Sequence, residues 1–189
     1  MTAEEIVLAV AAALERVGIP YMAVGALAGV YYGINRATDD ADFVIQVDEL
    51  DLSTLRQALG PEFIVDPQVR FESITLGTHY VVSHPDSDFD IDLFLLRNDE
   101  HGHLSFSRRQ RIAFDRGETY ICTPEDFVIT KLQWARTGLR GKDIEDARSV
   151  LAVQQRKLDL PYIRRWCAQH GTHELLEKTL QSIPPFPND

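Results

Sequence analysis

Aspartates at alternate positions mark two strand-like stretches of this chain. Asp40 and Asp42 stand directly before the apolar run 43–45, and Asp90 and Asp92 interrupt a second apolar run farther along the chain. Residues i and i+2 of a strand point to the same face, so each pair can aim two carboxylates at one point in space. Converging carboxylates are costly unless a hard cation such as Mg²⁺ neutralises them. The pattern therefore predicts metal-assisted phosphoryl or nucleotidyl transfer.

Residues upstream of the first pair could bind phosphate. Gly25 lies between an apolar stretch and a small-residue segment, where backbone N–H groups can hold phosphate oxygens. Arg36 and Thr38 precede the acids and would supply a cation and a hydroxyl. The alternative interpretation is a solvated acidic turn before a strand. Charge within the apolar run 89–96 favours the functional interpretation, because a buried charge needs a partner.

Hydrophobic periodicity and turn signals predict the elements that would position these residues. Helices are predicted at 3–17, 26–32, 52–59, 124–136, 143–155, 161–169 and 173–182. Strands are predicted at 21–24, 41–47, 63–65, 71–76, 79–83, 89–96 and 119–122, with a turn at 77–78 and a loop at 98–103. The fold class is therefore α+β, with a mixed sheet and a helical C-terminal part. We expect an α/β core at 1–122 and a helical part at 123–189 packed on it.

Composition and charge reduce the number of function classes to which the chain could belong. The chain has 189 residues and a formal charge of −10, which argues against a broad nucleic-acid-binding surface. No apolar run approaches the ~20 residues that span a bilayer, and the acidic N-terminus lacks the positive start of a signal peptide. The two cysteines, Cys122 and Cys167, form no CxxC pattern. We therefore expect a cytoplasmic protein with no membrane partner.

The motif Gly25-Ala26, followed by Arg36-x-Thr38-x-Asp40-x-Asp42, resembles the signature of the nucleotidyltransferase superfamily, whose fold is shared with DNA polymerase β. Ala26 stands where the signature has Gly or Ser, and its backbone N–H could still serve. The third aspartate of the signature lies on a later strand and matches Asp92 in Ile91-Asp92-Leu93. Asp90 shares the face of Asp92 and is the alternative third ligand.

Among members of the superfamily, the chain is most similar to small bacterial and archaeal nucleotidyltransferases that include the AbiEii-type toxin proteins. This resemblance rests on Lys131-Leu132, Arg136 and the run Lys142-Asp143-Ile144-Glu145-Asp146. It implies a polymerase β-like core with a mixed β-sheet, flanking helices and a helical C-terminal part.

The resemblance also implies site residues and cofactors. Asp40, Asp42 and Asp92 would be catalytic and would hold two Mg²⁺ ions, with Mn²⁺ as the alternative ion and a nucleoside triphosphate as substrate. The predicted nucleotide-binding residues are Gly25, Ala26, Arg36 and Thr38. Lys131 would be catalytic and reach the triphosphate; alternatively, it belongs to a salt-bridge scaffold with Asp143 and Asp146.

The function predicted from these residues is transfer of a nucleoside monophosphate to a hydroxyl acceptor. The acceptor would be an RNA end, a protein or a small molecule, and a cognate antitoxin is a further expected partner. The alternative function is a catalytically inactive nucleotide-binding or toxin–antitoxin interaction module of the same fold. An unrelated domain with structural Ca²⁺ is a third interpretation, although the chain has no EF-hand spacing.

Overall fold

The computed structural model describes residues 1–35, 38–73, 77–114, 116–138 and 140–184. Contacts divide the chain into two compact units. The first contains the described residues of Met1–Ala28 and Arg36–Cys122, and the second contains those of Gly29–Asn35 and Thr123–Asp189. The predicted domain division, with C-terminal helices packed on the core, stays a prediction.

The first unit is built on a sheet with helices between its strands. Its strands are β1 (Tyr21–Val24), β2 (Asp40–Ile45), β3 (Ile64–Val65), β4 (Arg70–Glu72), β5 (Gly77–Ser83), β6 (Asp90–Leu95), β7 (Gln110–Phe114) and β8 (Gly117–Ile121). Its helices are α1 (Ala3–Arg16), α3 (Leu52–Leu59) and α4 (Glu100–Ser107), and α2 (Gly25–Tyr31) begins within it.

The sheet of the first unit contains both parallel and antiparallel strand pairs. Among the described residues it has eight strands in the order β3-β5-β6-β2-β1-β8-β7, with β4 also paired to β5. The β2/β6 and β1/β8 pairs are parallel, and the other pairs are antiparallel. The predicted mixed sheet is confirmed, and β6, the most apolar predicted strand, lies in its interior.

One face of the sheet packs against α1 and α3. Period-two burial in β2 places Ala41, Phe43 and Ile45 in this core, with Ile91 and Leu93 from β6. Both helices begin at side-chain caps. Thr2 and Glu5 form a capping box on α1, and the Asp51 carboxylate accepts from the backbone N–H groups of Ser53 and Thr54 on α3. The core therefore leaves the opposite face of the sheet to the alternate residues of each strand.

The second unit is helical. Its main helices are α5 (Pro124–Gly138), α6 (Gly141–Gln154), α7 (Leu160–Gln169) and α8 (His173–Gln181), with a 3₁₀ turn at Gln155–Lys157. Pro124 begins α5 with acids in the first turn, as predicted. In the part of the chain that the structure describes, no helix is long and apolar enough to cross a membrane.

Two local predictions are wrong. The predicted loop at 98–103 contains the start of α4, where the Asp99 carboxylate accepts from the Gly102 N–H at 2.7 Å. The predicted turn at 77–78 is the start of β5, since Gly77 pairs with Glu72. Strand β7 was not predicted, and the last three residues of the predicted strand 71–76 lie outside the described residues.

Candidate active site

The four strand aspartates lie side by side across one parallel strand pair. In the β2/β6 register, Asp40 is opposite Asp90 and Asp42 is opposite Asp92. Their neighbours Ala41 and Ile91 are fully buried in the core. Alternation therefore turns all four carboxylates to the sheet face that α1 and α3 do not cover.

Thr38 is tied to the first carboxylate. Its hydroxyl lies 2.9 Å from Oδ1 of Asp40 and 2.9 Å from the Asp40 carbonyl oxygen, and it donates to these two acceptors. Asp40 itself is exposed at the start of β2. The predicted nucleotide-binding residue Thr38 thus contacts a predicted metal ligand directly.

Gly25 lies against the second carboxylate. Val24, its predecessor, is opposite Asp42 in the antiparallel β1/β2 pair, and the chain then turns into α2 with Gly25 at φ +57°. A Cβ atom at position 25 would be 1.8 Å from Oδ2 of Asp42. Any other residue would therefore displace this carboxylate. Ala26, the next residue, lies half-buried in the first turn of α2.

A histidine that the sequence analysis did not single out lies beside Asp92. His79 on β5 is opposite Phe94, so its side chain shares the carboxylate face, and its Nε2 is 3.9 Å from Oδ1 of Asp92. Its ring packs on Phe94 with centroids 4.7 Å apart. Arg70 on β4 is opposite His79 in the next strand pair, which puts it on the same face.

Electrostatics distinguish Asp92 from an ordinary surface carboxylate. Burial raises its pKa, and the negative charges of Asp40 and Asp90 raise it further. The positive charge that His79 can carry opposes this rise, as does Arg70. Asp92 therefore binds a proton more readily than an exposed aspartate, which suits a group that accepts a proton during a reaction.

Carboxylate oxygens are the donors that Mg²⁺ prefers, so the chemistry of this face fits the predicted ion. Within the described residues, however, no three His, Cys, Asp or Glu side chains come close enough to hold one metal ion. Neighbouring carboxylates repel one another without a cation between them. Metal binding by Asp40, Asp42 and Asp92 therefore stays a prediction.

Comparison with known proteins supports the architecture. Neither a family model nor a curated protein matches the chain. Its fold is similar to an antigenic nucleotidyltransferase-like protein from Paracoccidioides brasiliensis, with TM-score 0.54, 19% identity, and coverage of 96% of this chain and 93% of that chain. The chain has a nucleotidyltransferase fold.

A second nucleotidyltransferase-fold neighbour is the antibiotic-resistance factor ANT(2'')-Ia. Its solution structure has TM-score 0.57 and 12% identity, covering 94% of this chain and 96% of that chain. Its complex with adenylyl-2''-tobramycin has TM-score 0.56 and 12% identity, covering 90% and 97%. At these identities the likeness establishes the fold, and the predicted α+β class is confirmed.

Lys131 and Arg36 were also predicted as site residues. Lys131 belongs to the second unit, where its Nζ is 2.8 Å from Asp143 and 2.9 Å from Asp146. Arg140 contacts the second oxygen of Asp143 at 3.1 Å. Lys131, Asp143 and Asp146 are buried, Arg140 is partly exposed, and the four charges sum to zero, as expected for the salt-bridge scaffold. Arg36 lies outside the described residues.

Sequence reasoning missed His79 because its significance depends on strand pairing. The sequence predicts a strand that begins at His79, but it does not reveal which strand lies beside it. The signal in the sequence is a titratable residue at the start of an apolar predicted strand, and the structure shows that this residue is buried.

Proposed function

We propose that this protein is a metal-dependent nucleotidyltransferase that moves a nucleoside monophosphate from a nucleoside triphosphate to a hydroxyl acceptor. One observation carries the proposal: the β2/β6 register sets Asp40 and Asp42 opposite Asp90 and Asp92 on one face of the sheet. The nucleotidyltransferase fold of the chain also supports the proposal.

Asp40, Asp42 and Asp92 would hold the metal. Mg²⁺, when bound there, would polarise the phosphates and lower the pKa of the acceptor hydroxyl. We prefer Asp92 to Asp90 as the third ligand because Asp92 lies opposite Asp42, whose carboxylate is held against Gly25. Backbone N–H groups of Gly25 and Ala26, with Arg36, would bind the phosphates.

The reaction forms one bond to phosphorus and breaks another. The acceptor oxygen bonds to the α-phosphorus while the bond from that phosphorus to the bridging oxygen breaks, and pyrophosphate leaves with the bonding electrons. The acceptor proton passes to the Asp92 carboxylate. Asp92 is the candidate for this role because it lies opposite Asp42 on the face that the four carboxylates share.

The acceptor is proposed as a class. ANT(2'')-Ia was crystallised with adenylyl-2''-tobramycin, so a small-molecule hydroxyl is the first class to test. The formal charge of −10 favours a small molecule or a protein over an RNA end. Lys131 and the run 142–146 resemble AbiEii-type toxins, so we also propose a toxin role with a cognate antitoxin. In that case expression of the wild type should arrest cell growth, and expression of Asp42→Asn should not.

Calorimetry with Mg²⁺ and each of the four nucleoside triphosphates tests the proposal, with Asp42→Asn beside the wild type. The matched control is Asp48→Asn, which makes the same charge change at an exposed position after β2. We expect Mg²⁺-dependent binding in the wild type and Asp48→Asn but not in Asp42→Asn. Incubation with α-³²P-labelled nucleotide and an acceptor panel then tests transfer.

Absence of binding to all four nucleotides would overturn the proposal. Equal binding by Asp42→Asn would also overturn the site, because the nucleotide would then bind elsewhere. Binding without transfer to any small-molecule, protein or RNA acceptor would favour the inactive-module alternative.

A further inference from the structure

His79 is a basic side chain that lies beside Asp92. Its Nε2 is 3.9 Å from Oδ1 of Asp92, longer than a hydrogen bond but within ion-pair range. The two residues lie on adjacent antiparallel strands, at diagonal positions on the same face. Catalytic hydrogen bonds are often long before substrate binds, so this separation suits a contact that tightens in the complex.

The ring of His79 is buried beside an aromatic ring and a carboxylate. The residue is 8% exposed, and its ring rests on Phe94 with an interplanar angle of 35°. Within the described part of the chain, Nδ1 has no hydrogen-bond partner. A proton on Nδ1 would thus be a buried, unpaired donor, and the lone pair of Nε2 would face a carboxylate. The Nε2–H tautomer avoids both costs.

We propose that His79 is a positioning residue, whose Nε2–H holds the Asp92 carboxylate in one orientation at the proposed metal and acceptor site. This inference rests on the proposed nucleotidyl transfer. Packing on Phe94 fixes the plane of the His79 ring, and the pairing of β5 with β6 fixes the position of His79 in the sheet. His79 thereby contacts Asp92 from the β5 side, whereas Asp42 lies on the other side of Asp92, in β2.

A second histidine provides a matched control. His84 is also 8% exposed and packs on an aromatic ring, that of Phe63, at a centroid distance of 5.4 Å. Its Nδ1 accepts from the backbone N–H of Asp86 at 3.2 Å, so it stabilises a turn. A purely structural role would make the two histidines equivalent in kinetic assays.

Steady-state kinetics of three variants test the inference. His79→Leu keeps apolar volume against Phe94 but removes the donor, His79→Gln keeps a donor, and His84→Leu is the control. We expect His79→Leu to lower kcat about 10- to 100-fold, as is typical when a group supporting a site residue is lost. KM for the nucleotide should change less than kcat, because Asp40 and Asp42 would still hold the metal. His79→Gln should recover most of kcat, and His84→Leu should retain it.

A spectroscopic measurement separates failure of this inference from failure of the proposed function. Two-bond ¹⁵N–¹H spectra of the histidine rings report the tautomer without any turnover. We expect the Nε2–H form at His79 in the wild type and a shift in tautomer population in Asp92→Asn.

If the wild type transfers no nucleotide, the proposed function fails, and the kinetic role of His79 fails with it. An Nδ1–H tautomer, or a spectrum unchanged by Asp92→Asn, would overturn the pairing even in an active enzyme. Equal kcat in the wild type and His79→Leu would overturn the positioning role.

Discussion

The Asp42 carboxylate occupies the space where a side chain at Gly25 would begin. A Cβ on Gly25 would lie 1.8 Å from Oδ2 and 2.8 Å from Cγ of Asp42. Gly25 also has φ +57°, a conformation that residues with a Cβ rarely adopt. The glycine therefore meets two requirements at once: it turns β1 into α2 and leaves room for the carboxylate beside it.

Gly25→Ala should disable the site by moving Asp42. Misplacing a reacting group by about one ångström can lower a reaction rate about 100-fold, so we expect Gly25→Ala to lower the rate of nucleotide transfer by about that factor. Mg²⁺-dependent nucleotide binding measured by calorimetry should weaken with it.

The control for this substitution is Gly18→Ala. Gly18 also has positive φ, +71°, but nothing lies within 4 Å of its would-be Cβ. Both variants should lose about 1 kcal/mol of stability from backbone strain, and only Gly25→Ala should lose binding. Equal nucleotide affinity in the two variants would refute a steric role for Gly25.

Asp92→Asn should stabilise the metal-free fold at neutral pH while abolishing transfer. Burial raises the pKa of Asp92, so the folded state favours its protonated form. This contribution to stability is present below the ordinary aspartate pKa and is lost as pH rises through the raised value. Urea unfolding in chelator should show the variant as more stable at neutral pH, with the difference shrinking toward acid.

The charged and titratable groups around Asp92 are Asp90 on its own strand, Asp40 on β2, His79 on β5 and Arg70 on β4. Asp48→Asn, at an exposed position, should show no comparable pH-dependent gain. A less stable Asp92→Asn protein at neutral pH would mean that hydrogen bonds to the carboxylate outweigh its burial.

Lys131→Met should destabilise the second unit strongly. It would leave Asp146 without its ammonium partner and Asp143 with Arg140 alone. Removing one member of a buried ion group typically costs about 3–5 kcal/mol, measurable as a lower urea midpoint.

The double variant Lys131→Met/Asp146→Asn separates a structural from a catalytic role for Lys131. It restores neutrality, because Asp143 keeps Arg140 at 3.1 Å. We expect it to recover much of the lost stability. Transfer activity in this refolded variant would show that Lys131 is structural, whereas a stable but inactive protein would support its predicted catalytic role.

Thr38→Val should weaken nucleotide binding by loosening Asp40. The hydroxyl donates to the Asp40 carboxylate at 2.9 Å, a contact that valine cannot make. A loss of about 1 kcal/mol corresponds to roughly fivefold in the dissociation constant. Thr38→Ser keeps the hydroxyl and should bind nucleotide as the wild type does; equal weakening in both variants would point to packing instead.

Local patterns in the sequence determined much of the fold. The predicted strand 21–24 and helix 52–59 match β1 and α3 residue for residue, because the short apolar run of β1 and the Asp51 cap of α3 are encoded in neighbouring residues. One helix that was not predicted, α4, carries Gly102 among its first residues, and glycine is a poor helix former. Its start depends on the Asp99 cap, which an apolar-periodicity pattern does not reveal.

Some features of the candidate site also follow from the sequence, and others depend on tertiary structure. Alternation alone put Asp40 with Asp42, and Asp90 with Asp92, on shared faces. Only tertiary structure decided that β2 pairs with β6 in the register that sets Asp42 opposite Asp92. It also brought His79 to Asp92. Side-chain alternation is a property of one strand, whereas pairing and register join segments far apart in sequence and are settled by the packing of the whole sheet.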